Sequence, residues 1–174
     1  MTAPVFPIIV LRSYVQSGAW PGHHVLLNHP ELAVTWVELT SDDAMLYVNK
    51  DRHKVLESQY GDLHEYALNT LREHSEDLAT HVKEKDGRPI LMAMMHADGL
   101  GSSRLLLVPE LQVLFPGGFK LAIPDRSCGL LMPPGLNSEE IAEFTSMVGE
   151  FHADATAPLL PGVCEPHDFE IADR

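Results

Sequence analysis

The pair Asp86-Gly87 constrains this chain more than any other two neighbours in it. Such a dipeptide accepts positive φ at both positions, which is what a two-residue β-hairpin turn requires. It separates residues 80–84, which read as a strand, from Pro89 and the nearly continuous apolar run 90–96, which suits a central strand. The middle of the chain is therefore expected to pair antiparallel, and the rest must accommodate that hairpin.

Residues 5–11 (VFPIIVL) read as a strand whose first half Pro7 demotes to an edge. Residues 17–22 are a loop by their Gly and Pro content. The β-branched and aromatic segment 33–39 (AVTWVEL) predicts a strand, and 45–48 the next one, with Ser41-Asp42-Asp43 as the turn between them. Asp62 is placed to cap a helix in which Leu63, Tyr66, Ala67 and Leu71 recur at helical spacing, ending in the polar stretch 73–76. Residues 98–103 (DGLGSS) break the central strand, and a helix is expected over 105–115, kinked or split at Pro109. Residues 119–123 and 129–132 read as strands around Pro124-Asp125-Arg126. Asn137 and Glu140 have the spacing of a capping box for a helix to about His152, with Ile141, Phe144, Val148 and Phe151 on its apolar stripe. Residues 158–166 read as loop and 169–172 as a short last strand. The expected core is Leu71, Ile90, Met92, Leu106, Leu111, Leu121, Ile123, Phe144 and Val148.

With 174 residues the length suits a single domain, 1–174, made of a β-rich part to residue 60 and an α+β part over 61–174. The formal charge of −13, with the densest basic stretch only 50–54, lacks the footprint of a nucleic-acid binder and disfavours anionic membranes. No apolar run approaches the ~18 residues of a spanning helix, and the run 5–11 is followed, not preceded, by Arg12, the wrong polarity for a signal peptide. A cytoplasmic location follows as the expectation, with Cys128 and Cys164 as buried free thiols.

The helix carrying Ala67-Leu68-Asn69-Thr70-Leu71, the run Ser102-Ser103-Arg104-Leu105-Leu106-Leu107-Val108-Pro109-Glu110-Leu111, the segment Ala122-Ile123-Pro124-Asp125-Arg126 and Leu130-Leu131 follow in that order. Over roughly residues 60–170 this resembles the YtpQ-like bacterial family of unknown function. The resemblance implies an architecture and a bacterial cytoplasmic setting, and no activity.

Ten histidines are many for this length, and His23, His24 and His29 cluster in a loop-like stretch where neutral imidazoles could ligate a metal. Against that, adjacent histidines on an extended chain point apart, and His64-Glu65 has no second histidine to make an HExxH helix. No Gly-x-Ser-x-Gly elbow is present. Asp42-Asp43 and Glu139-Glu140 occupy a turn and a helix start, ordinary places for carboxylates. The more specific arrangement is an edge. If strands 90–96 and 119–123 run parallel, as in a βαβ unit, their following loops gather His96, Asp98, Ser102, Ser103, Arg104, Asp125 and Arg126 at one end of the sheet. A helix N-terminus and guanidinium groups there would suit a phosphate or carboxylate.

The expected fold is α+β: a mixed, mainly antiparallel sheet with two or three helices on one face, with room for one βαβ unit. The expected function is a non-enzymatic binding module for a protein or a small anionic ligand held by Asp98, Ser102, Ser103, Arg104, Asp125 and Arg126, with no cofactor. The competing classes are a hydrolase or metal-assisted hydrolase built on the 96–104/125–126 edge, and an acidic accessory protein that neutralises a basic partner.

Overall fold

Strand patterning in the first third of the chain organises around one segment, residues 32–39, whose first six side chains are all buried. Burial on both faces is the signature of a central strand. The computed structural model describes residues 3–40 and 44–172; the expected turn at 41–43 lies outside the described residues. The protein is α+β, and the chain divides into two units, 1–76 with 171–174 and 77–170.

In the first unit, β1 (Val5–Leu11) leads directly into the single-turn helix α1 (Arg12–Val15). β2 (Val25–Leu26) and the central β3 (Leu32–Leu39) follow, then β4 (Met45–Tyr47). β3 pairs antiparallel along its whole length with β1, from Val5↔Glu38 to Leu11↔Leu32, and on its other side with β2 and β4. Pro7 sits on β1, which occupies the sheet edge as Pro7 demands. Two helices complete the unit: α2 (Lys50–Tyr60) and α3 (Leu63–Glu73). Asn49 caps α2 by accepting from Arg52 N–H at 2.8 Å, and Asp62 caps α3 by accepting from His64 and Glu65 N–H at 2.9 and 3.1 Å. Between them Gly61 adopts φ +80°, which ends α2 and turns the chain at once into α3. Val5, Trp36, Val48, Leu56, Leu63 and Ala67 form the core of this unit.

The second unit is a five-stranded sheet, and every pairing in it is antiparallel. β5 (His81–Lys85) and β6 (Arg88–Met94) form the hairpin that Asp86-Gly87 demands, with φ of +53° and +74° at the turn. A 3-10 turn (Ser102–Leu106) and helix α4 (Val108–Leu114) replace the single helix expected over 105–115. The break falls at Leu107 because Pro109 has no N–H for an interior bond and takes the first turn of α4 instead. β7 (Lys120–Asp125), β8 (Cys128–Met132), α5 (Ser138–Ala153) and β9 (Val163–Cys164) follow. The strand order is β5-β6-β8-β7-β9. β6 and β7 thus run parallel but are not neighbours: the short 125–128 turn brings β8 back between them, so no βαβ unit of adjacent strands forms. β8 is buried throughout. Cys128, Leu130 and Met132 join Phe144 and Val148 of α5 in one core cluster, while Gly129 points the other way, toward Gly101 and Leu105. Residues 166–169 are a 3-10 turn, and Ile171 makes only an isolated bridge to Leu27 in place of a last strand. Of the expected core, Met92 is half-buried and the other eight residues are buried. No helix of the described residues is long and apolar enough to cross a membrane.

Candidate functional site

Because β6 and β7 run the same way, the loops that follow them do meet at one end of the second sheet. Ser102 donates from both N–H and Oγ to the Arg126 carbonyl, at 3.3 and 2.6 Å. Arg104 is fully buried, and its Nη1 and Nη2 donate to Asp98 Oδ1 and Oδ2 at 3.0 and 2.7 Å. Asp98 also accepts from Leu100 N–H at 2.9 Å. Asp125 accepts from Ser127 N–H and Oγ with one oxygen and from Ala157 N–H with the other. Ser102, Ser103 and Arg104 have no exposed surface. The six residues expected to face a ligand therefore gather, but Asp98, Ser102, Arg104 and Asp125 form a lock, spending their polar groups on one another's loops and on the 125–128 turn; Ser103 is buried with its Oγ unpaired among the described residues, and Asp98, Asp125 and Arg126 are half-buried. The nearby Cys128 thiol is pushed up to about 12, first by burial and then by the Asp125 charge, so it is protonated at neutral pH.

The lock carries a pH signature. Burial disfavours the Asp98 charge, but the Arg104 and Leu100 hydrogen bonds and the Arg104 charge outweigh it and hold the carboxyl below its ordinary value near 3.8. A depressed native value means stability that is complete above the unfolded value and is lost as pH falls through the native one. Denaturant midpoints measured below about pH 4 should therefore fall steeply in the wild type and less steeply in Asp98→Asn. Parallel acid limbs would contradict this.

The histidines separate differently from the expectation. His29 is used by its own turn, its Nδ1 accepting from Glu31 N–H at 3.2 Å. His24 loses basicity through burial and the charge of Lys50. Among the described residues no group of three or more His, Cys, Asp or Glu side chains is arranged to hold a metal ion, so His23, His24 and His29 are not gathered into such a group. The reason is local: the extended chain turns neighbouring rings apart, and the loop consumes the third.

His23 instead joins two histidines from the helices. Thr35 on β3 donates to the His23 carbonyl at 2.9 Å, which seats the His23 loop against the sheet. The His23 ring stacks on Trp36 at 5.9 Å and 10°, and lies 4.4 Å from the His53 ring. Trp36 touches His53 and His64 edgewise or tilted, at 5.0 and 6.1 Å. One helical turn separates His53 from Glu57, placing Nδ1 3.3 Å from Oε2. His64 sits in the first turn of α3 because Gly61 and Asp62 start that helix beside the end of α2. These side chains line a cavity of about 340 Å³, together with Val25, Gly61, Asp62, Leu63 and Ile171.

Two residues of this lining each bury a polar atom, Trp36 Nε1 and His64 Nδ1, that has no hydrogen-bond partner among the described residues. Buried polar atoms are almost always paired, so each such orphan calls for a partner that the described residues do not provide. Two cavities of the second unit are of similar size, about 300 and 350 Å³, but none of the orphaned buried atoms belongs to their linings. Burial keeps the His64 pKa below its ordinary 6.5 despite the nearby Glu65 and Asp62 charges. Its imidazole is then neutral at pH 7, able to accept or to donate according to tautomer. Sequence reasoning missed Trp36, His53, Glu57 and His64 as a set. Only the local signals were there: the Asn49 and Asp62 caps that fix where each helix begins.

No protein-family model matches the chain, and neither a curated protein nor a solved structure matches it.

Proposed function

We propose that this protein is a non-enzymatic binding module that takes a small polar ligand in the Trp36–His53–His64 cavity of its first unit. The observation that carries the reading is a cavity of about 340 Å³ lined by Trp36, His53 and His64, two of which hold a buried polar atom without a partner among the described residues, Trp36 Nε1 and His64 Nδ1. That volume lies in the range of small-ligand sites, which pair an aromatic lining with a few converging polar groups. A ligand whose binding loosens the packing at either atom would supply a partner that the described residues do not. The two free, buried thiols support the companion proposal of a reducing, cytoplasmic setting. The YtpQ-like resemblance, which brings no activity with it, accords with a binding role.

Calorimetric titration of a fragment panel against the wild type and Trp36→Phe tests the reading. Phenylalanine keeps an aromatic ring but removes the N–H donor together with part of the buried indole volume, so the thermal midpoint of the variant is measured beside its affinities. Fragments that bind the wild type should lose about threefold to tenfold in affinity, the worth of one neutral hydrogen bond. Equal affinities would remove the cavity from the account.

A further inference from the structure

Three imidazoles pack on one buried indole in the first unit. The rings of His23, His53 and His64 lie 5.9, 5.0 and 6.1 Å from that of Trp36, and they arrive from a loop, from α2 and from the first turn of α3. Histidine is the side chain whose ordinary value lies just below neutral pH, so a modest fall in pH adds charge to this cluster. One imidazolium is accommodated. His53 Nδ1 lies 3.3 Å from the half-exposed Glu57 carboxylate, and its ring meets the indole, which favours a cation. A second one on His23 would stand with its ring centre 4.4 Å from that of His53. Trp36 and Ile171 add no charge to the lining, and the neighbouring His24 lies under the charge of Lys50 instead.

His64 tolerates a proton least. Protonation turns both ring nitrogens into donors, and the buried Nδ1 faces no acceptor among the described residues. The ring also sits in the first turn of α3, where the helix dipole opposes positive charge. The charges that favour its proton, Glu65 and Asp62, are outweighed by burial, and Asp62 is already engaged as the helix cap.

We propose that the first unit carries an acid-triggered opening, in which protonation of His64 and of the His23–His53 pair parts the His23 loop and the α2–α3 corner from Trp36 and exposes the indole. The opening needs only protons, so it stands or falls apart from the binding role proposed above. A native His64 value below 6.5 means that the closed form binds fewer protons than the open one. Its stability is therefore complete above about pH 6.5 and is lost as pH falls from there toward the native value. The acid limb of Asp98 in the second unit begins lower, below about pH 4.

Acrylamide quenching of Trp36 emission, followed from about pH 8 to about pH 4.5 in the full chain with Trp20→Phe, reads the opening, since Trp36 is then the one tryptophan. The quenching constant should rise about threefold or more in one step below pH ~6.5. His64→Phe keeps a ring without a proton site and should move the step down by about half a pH unit or more. Glu57→Gln removes the carboxylate that balances His53 and should move the step up if the second charge on the pair drives the opening at lower pH than His64 alone, or down if Glu57 first raises the proton affinity of His53. Either displacement supports the proposal, and because Glu57 is half-exposed this variant decides the matter where His64→Phe does not fold. A flat profile in the parent chain, or a step that neither variant displaces, overturns it.

Discussion

Gly101→Ala should lower the stability of the second unit by roughly 3–5 kcal/mol, among the largest effects of any single methyl group in this protein. The backbone at Gly101 is ordinary, φ −56° and ψ −51°, so the cost is one of space and not of conformation. A Cβ there would lie 2.0 Å from the Ser127 carbonyl oxygen and 2.2 Å from that of Met94. Both obstacles are backbone, belonging to the 125–128 turn and the end of β6, so neither can rotate away. Gly129 faces the same spot from β8, its Cβ position 2.5 Å from the Gly101 oxygen. The loop after β6 is threaded against β8 at a distance that only two glycines permit. Gly149→Ala supplies the contrast, because nothing lies within 4 Å of its Cβ position in α5. That variant should gain up to ~1 kcal/mol from helix propensity. Thermal unfolding of the two variants reads both signs, and equal midpoints would contradict the threaded loop.

Arg104→Met is the second large effect. The guanidinium has no exposed surface and holds both oxygens of Asp98, whose side chain is one-quarter exposed. Removing one partner of a buried pair leaves the other charge uncompensated, at about 3–5 kcal/mol. Pairing the substitution with Asp98→Leu should recover much of that loss, since replacing both partners by apolar groups removes the stranded charge. A double-mutant cycle in urea at pH 7 measures it. Additive losses would mean that Asp98 and Arg104 contribute independently, against the geometry of the lock.

Local chemistry made much of the fold legible. Asp86-Gly87, the Asp62 cap and the Asn137–Glu140 capping box all form as their residue types require, because each acts over four residues or fewer. α2 was not legible: only His53 and Leu56 of its eleven residues are buried, so no apolar stripe announces it. The pairing of strands into two sheets was equally hidden, being decided by which strands meet. At the expected edge the sequence reading brought the loops at 98–104 and 125–126 together only through adjacent parallel strands; they converge although β8 lies between β6 and β7. That most of their polar groups satisfy one another, Ser102 with the Arg126 carbonyl and Arg104 with Asp98, while Ser103 Oγ stays unpaired among the described residues, depends on packing that spacing does not encode. For the cavity, His23, Trp36, His53 and His64 come from a loop, a strand and two helices, and no periodicity links them.

The Trp36 indole N–H cross-peak in ¹H–¹⁵N spectra tests the central claim most directly, with Trp20→Phe assigning it, since the chain has two tryptophans. As a fragment that binds by calorimetry is titrated, that peak should shift progressively and saturate, while the amides of Ser127 and Ala157 at the closed edge stay still. Movement of Ser127 and Ala157 with an unmoved Trp36 indole would place binding at the second unit and contradict the account.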